Sequence, residues 1–96
     1  MAFGYVIAQI KVTEPKAYAE YIKLAIPTIE QYGGEFIVRV GKSVSYEGTP
    51  PGDRTVVIRF PSYTAADEWY HSDEYAEAKA RRMSSSTSVQ TIVEGV

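Results

Sequence analysis

Residues 13–41 read TEPKAYAEYIKLAIPTIEQYGGEFIVRVG, and at the paired glycines the apolar period shortens from three or four residues to two. Before the glycines, Tyr18, Tyr21, Ile22, Ala25, Ile29 and Tyr32 fall on one helical stripe. Thr13 or Glu14 can cap this helix, Pro15 suits its first turn, and Gly33 or Gly34 can supply a left-handed stop. Pro27 removes one backbone bond and is expected to bend the helix rather than end it. After the glycines, Glu35–Gly41 is a strand with Arg39 in its apolar middle. A charge in that position needs a physical reason.

Working outward, FGYVIAQIKV at 3–12 alternates as a strand. The strand that begins at Glu35 is expected to run to residue 47, bent or bulged at Gly41. EGTPPGD at 47–53 has hairpin-loop composition, and RTVVIRF at 54–60 is a third strand. Residues 61–83 hold one or two helical segments, with Ser62 as a first cap and Ser72 or Asp73 as a second. SSSTS at 84–88 reads as a polar loop and VQTIVEGV at 89–96 as the last strand. The order β-α-β-β-α-β is the ferredoxin-like, split-βαβ arrangement. This α+β class places both helices on one face of a four-stranded antiparallel sheet. With 96 residues and no linker or repeat, the expectation is one domain over 1–96.

Composition narrows the function. A net charge of −2 offers no general attraction to nucleic acid or to anionic membrane. No cysteine is present, which excludes disulfides, thiolate metal sites and a Cys nucleophile. No apolar run approaches the roughly 20 residues of a membrane span, and Gln9 and Lys11 interrupt the N-terminal apolar stretch before it resembles a signal peptide. The expectation is a cytoplasmic protein with no nucleic-acid or membrane partner.

Letting the smoother apolar face of each strand meet the helices sends Val6, Ala8, Ile10, Phe36, Val38, Val40, Val56, Ile58, Phe60, Val89, Thr91 and Val93 inward. The other face then carries Tyr5, Ile7, Gln9, Lys11, Ile37, Arg39, Val57, Arg59, Gln90, Ile92 and Glu94. An ordinary solvent face is mostly polar, whereas this one mixes aliphatics with a few polar groups and so suggests a second copy. Two sheets packed face to face would form a dimeric α+β barrel. Arg39 and Arg59, with Gln9 and Gln90 beside them, are then candidates for an anion or carboxylate site. The plainer reading is that these arginines pair with Glu94, Glu47 or a partner's carboxylate and only fix the dimer. A bulge near Gly41 would flip the later residues of that strand to the other face.

His71, the only histidine, is a candidate general base with Asp67 or Glu74 as an orienting carboxylate, and a surface histidine between two helices explains the same letters. No second His or Cys exists to complete a metal site, so neither metal nor cofactor is expected. Tyr18, Tyr21 and Tyr32 follow the helical stripe, whereas Tyr5 and Tyr46 are candidates to face a cavity or an interface. Arg54, beside TPPGD, could rim such a cavity, though a plain hairpin connection explains it as well.

GYVIA at 4–8, VTEPKAYAEY at 12–21, YGGEFIVRVG at 32–41, VVIRFPSYTAADEWYHSDEY at 56–75 and IVEG at 92–95 together resemble the small bacterial family called domain of unknown function 1330. The resemblance implies a ferredoxin-like homodimer of the dimeric α+β barrel group and brings no reaction with it. One departure is Val40, where a second glycine is expected. The functional expectation is a homodimeric small-molecule-binding protein, in one version a cofactor-independent enzyme acting on a carboxylated or polar aromatic compound. The alternative is a non-catalytic binding or regulatory dimer, and a third reading is monooxygenase-like chemistry on a phenolic substrate.

Overall fold

A computed structural model describes residues 2–96. Its elements run β1 (Gly4–Val12), α1 (Pro15–Gln31), β2 (Glu35–Arg39), β3 (Arg54–Phe60), α2 (Tyr63–Tyr70), α3 (Asp73–Ser85) and β4 (Ser86–Glu94). The strands form one antiparallel sheet in the order β2-β3-β1-β4, the ferredoxin-like arrangement.

Local signals place most boundaries. Ser62 and Ser72 cap α2 and α3, their hydroxyls accepting from the amides of Ala65 and Tyr75 at 3.0 and 3.1 Å. Glu14 precedes α1 without a side-chain cap bond, Pro15 opens the helix, and Pro27 sits inside it without ending it. Gly33 takes φ +80°, the left-handed turn that sends the chain into β2. Tyr18, Tyr21, Ala25 and Ile29 of α1 pack on Val6, Ala8, Ile10, Ile58 and Phe60 of the sheet. Trp69 and Tyr75, both fully buried with ring centroids 4.1 Å apart, join α2 and α3 to this core. Thr28 links the helices, its hydroxyl donating to the Ala25 carbonyl at 2.7 Å and accepting from Trp69 Nε1 at 3.0 Å.

Three expectations are corrected. First, no loop separates the last helix from the last strand, because α3 gives way directly to β4 at Ser86. Ser85 and Ser86 donate their hydroxyls to the Arg81 and Arg82 carbonyls at 2.6 Å, closing the helix end within the chain itself. Residues 86–88 then pair with 10–12. Second, β4 faces the other way. Val6 lies opposite Ile92 and Ala8 opposite Gln90, so Gln90 and Ile92 point toward the helices. Val89, Thr91 and Val93 point away from them. The cause is Arg82, buried at 3% exposure, whose guanidinium finds Ser88 and Gln90 only if those residues face inward.

Third, the bulge lies at Ile37 rather than Gly41. Phe36 pairs with Ile58, yet Val38 pairs with Val57 and Arg39 with Val56, leaving Ile37 as the extra residue. Arg39 therefore shares the helix side with Phe36, while Val38 faces out. The strand stops at Arg39, because Val40 takes φ +55° while its amide donates to the Thr55 carbonyl at 2.9 Å. A β-branched residue in this region is strained. Residues 40–53 follow without helix or strand, where the sequence suggests a strand to 47.

The Val40 strain predicts that Val40→Gly raises the unfolding free energy by about 1 kcal/mol, since glycine adopts this conformation freely. Urea denaturation measures it as a higher midpoint at unchanged slope. A lower midpoint would show that Val40 packing outweighs the backbone strain.

Candidate functional site

The corrected register separates the residues that the sequence places together. Arg59, Tyr5 and Gln9 lie on the sheet face turned away from the helices, opposite Glu35, Val93 and Val89 respectively. Arg39 and Gln90 lie on the helix side. On the outer face, Arg59 is ion-paired with Glu35 and stacks over the Phe3 ring at 4.6 Å. Its partner is thus Glu35, not Glu94 or Glu47. Tyr5 sits edge-on to Phe3 with centroids 6.5 Å apart, and Tyr46 is 91% exposed in the 40–53 segment. His71 closes the C-terminal end of α2, its Nδ1 2.9 Å from the Asp67 carbonyl oxygen and 3.4 Å from the Asp67 carboxylate. Its side chain is two-thirds exposed, facing a crevice with Tyr70 and Ile92.

A cleft opens on the helix side, between α1 and the β2–β3 edge of the sheet. Its floor is Val6, Ala8, Ile10, Val56 and Ile58, and its α1 wall is Tyr18, Tyr21, Ile22, Ala25, Ile26 and Ile29. Trp69, Gln90, Phe36, Arg39, Val40 and Arg54 complete the lining. The space within it is about 50 Å³, room for a few waters.

Two guanidiniums belong to this otherwise apolar lining. Arg39 stacks on the Phe36 ring at 4.6 Å and Arg54 on the Tyr18 ring at 5.3 Å. Both face the helix side because Arg39 lies opposite Val56 and Arg54 opposite Ile10. Among the described residues, neither has a carboxylate within 4 Å. Arg54 joins the site through the ordinary two-residue alternation of β3, from which Val56 and Ile58 already face inward. Arg39 joins it only through the bulge, which hydropathy does not reveal.

Behind the α1 wall, the hydroxyls of Tyr21 and Tyr75 lie 3.0 Å apart, and Arg82 Nε donates to the Tyr75 hydroxyl at 3.3 Å. Burial, then the neighbouring Tyr75, pushes the Tyr21 phenol well above its ordinary value near 10. Burial also raises Tyr18, although Arg54 and Arg82 oppose it. Burial alone would lower Arg82, but Tyr75, Tyr21 and Tyr70 outweigh it and the net direction is upward, so its charge is retained. Among the described residues, no three His, Asp or Glu side chains gather as a metal site, and no helix is long and apolar enough to cross a membrane.

Comparison with known proteins places this geometry in a family and a fold. A family model described as "Domain of unknown function (DUF1330)" matches residues 3–96. No curated protein matches the chain. The structure resembles RPA0582, a protein of unknown function from Rhodopseudomonas palustris, with a TM-score of 0.81 at 18% identity over 99% of this chain and 83% of that one. It also resembles SnoaB, a cofactor-independent oxygenase from Streptomyces nogalater, with a TM-score of 0.66 at 10% identity over 97% and 92% of the two chains. A protein proposed as an antibiotic biosynthesis monooxygenase from Caulobacter crescentus gives 0.62 at 20% identity, over 99% and 91%. At these identities the likeness is one of fold, which does not carry chemistry with it.

The Tyr21 shift predicts an alkaline limit. A folded-state pKa above the unfolded value means that its stabilisation is complete below about pH 10 and is lost as pH rises further, by about 1.4 kcal/mol per unit for one phenol. Denaturant midpoints at about pH 9 and about pH 11 should therefore fall less for Tyr21→Phe than for the wild type. Equal losses would mean that the Tyr21 phenol titrates freely in the folded protein.

Proposed function

The chain belongs to the DUF1330 family, and from that premise we propose that it is a homodimer whose helix-side cleft binds a small aromatic carboxylate. The observation that carries this reading is the pair of arginines, Arg39 and Arg54, at an aromatic and aliphatic cleft, with no carboxylate within 4 Å of either among the described residues. A guanidinium over an aromatic ring keeps N–H groups free for a carboxylate, while the apolar lining takes up a ring. The candidate arginines are thus Arg39 and Arg54, in place of the Arg39 and Arg59 that strand alternation suggests.

The enclosed volume favours a second reading, a non-catalytic dimeric module. About 50 Å³ is far below the roughly 300 Å³ of an ordinary ligand pocket, so binding requires the cleft to widen. The wall able to yield is the β2 side, a five-residue edge strand bonded only to β3 and followed by the irregular 40–53 segment. One titration separates the readings. 4-Hydroxybenzoate should bind the wild type, and Arg39→Ala and Arg54→Ala should each weaken it about tenfold, the worth of one hydrogen bond to a charged group. Phenol, lacking the carboxylate, should be indifferent to both changes. No saturable binding in the wild type would leave the non-catalytic module as the better account. Oxygen uptake with a hydroquinone tests the third reading, chemistry of the kind named for SnoaB.

The dimer rests on the outer sheet face. Val38, Val57, Ile7 and Thr91 lie directly opposite one another across all four strands, with Val89 and Val93 flanking Thr91 on β4. Ile7, Val38, Val89 and Val93 are between 38% and 55% exposed, an apolar band that water does not favour. Packed against a second copy, this band would contribute about 25 cal/mol per Å² of apolar surface buried. Sedimentation at micromolar concentration should report a dimer, and Ile7→Lys should give a folded single chain. A wild type that sediments as one chain would remove the dimer from the account.

A further inference from the structure

Arg82 is buried at 3% exposure, and every oxygen that receives its N–H groups is neutral. Nε donates to the Tyr75 hydroxyl at 3.3 Å, Nη1 to the Ser88 hydroxyl at 2.8 Å and Nη2 to the Tyr70 hydroxyl at 3.3 Å. With its amide oxygen turned inward, Gln90 accepts from Nη1 at 3.0 Å and from Nε at 3.3 Å. Among the described residues, no carboxylate comes within 4 Å of this guanidinium. A buried charge ordinarily has an opposite charge beside it.

The hydroxyls add to the imbalance. Ser88 and Tyr70 use their oxygens to accept from Arg82, and neither hydroxyl proton has an acceptor among the described residues. Arg82, Tyr70, Ser86, Ser88 and Gln90 line an open crevice of about 310 Å³ between α3 and β4, with Met83 at its edge. Beside it, Lys79 Nζ lies 4.5 Å from the Tyr70 ring centroid and donates to the Tyr70 carbonyl at 3.1 Å. The crevice thus gathers donors and positive charge, and the Gln90 amide oxygen in its lining is already taken by Arg82. We propose that this α3–β4 crevice binds a small oxyanion, held by the Arg82 guanidinium and the hydroxyls of Ser88 and Tyr70. The site is separate from the aromatic-carboxylate cleft, and Gln90 stands between the two.

Calorimetric titration of the full chain with sodium phosphate, and separately with sodium acetate, tests this at an ionic strength held constant by sodium chloride. One saturable site per chain is expected for at least one of the two, phosphate if the site prefers a tetrahedral anion and acetate if it prefers a planar one. Tyr70→Phe, which removes one donor, should weaken that binding about tenfold. Met83→Glu, at a position 59% exposed and so tolerant of change, should weaken it at least as much by setting a negative charge at the crevice. Arg39→Ala should leave it unchanged, which separates this site from the cleft. Wild-type protein that prefers neither oxyanion over chloride would overturn the proposal. So would binding that survives both Tyr70→Phe and Met83→Glu intact.

Discussion

One extra residue in an edge strand determines which side of the sheet carries the unpaired positive charge. Because side chains alternate with period two, Ile37 without a partner turns Val38 outward and Arg39 inward. Two consequences follow from the same inserted residue. The outer face receives Val38 in place of Ile37 opposite Val57, in line with Ile7 and Thr91. The helix side gains a guanidinium beside Phe36, close to Arg54. A regular ladder would have set Arg39 opposite Thr55, on the face of Gln9 and Arg59, and left the cleft with one arginine.

The other edge of the sheet obeys a different constraint. Hydropathy favours Val89 and Val93 as the buried residues of β4, and the structure leaves them half exposed. Arg82 explains why: an interior guanidinium without hydrogen-bond partners costs more than leaving two valines partly in water. Its requirement for Ser88 and Gln90 sets the face of the whole strand. The apolar cost returns as surface on the outer side, where a second sheet can cover it. The polar network inside and the proposed interface outside are thus two aspects of one register.

Much of the fold is legible in the residues. The α1 stripe, Gly33, the serine caps and the alternation of β1 and β3 each depend on interactions within a few positions, and each stands where local chemistry puts it. What escaped the sequence involves partners distant along the chain. The inward face of β4 depends on Arg82, and the bulge depends on how β2 meets β3. The serines at 84–88 mislead for a related reason. Serines suggest a loop by composition, yet here their hydroxyls bond the last carbonyls of α3 and then enter a strand. For the candidate site, the sequence marks Arg39 as an anomaly and Arg54 as a rim residue, but their association depends on the bulge.

The unity of the cleft as an arginine-bearing site stands on the placement of Ile37. Cross-strand nuclear Overhauser contacts between backbone protons of β2 and β3 test that placement most directly. Val38 is expected to show contacts with Val57, and Arg39 with Val56. Contacts of Ile37 with Val57 and of Arg39 with Thr55 would contradict it, returning Arg39 to the outer face and leaving the cleft without its second positive charge.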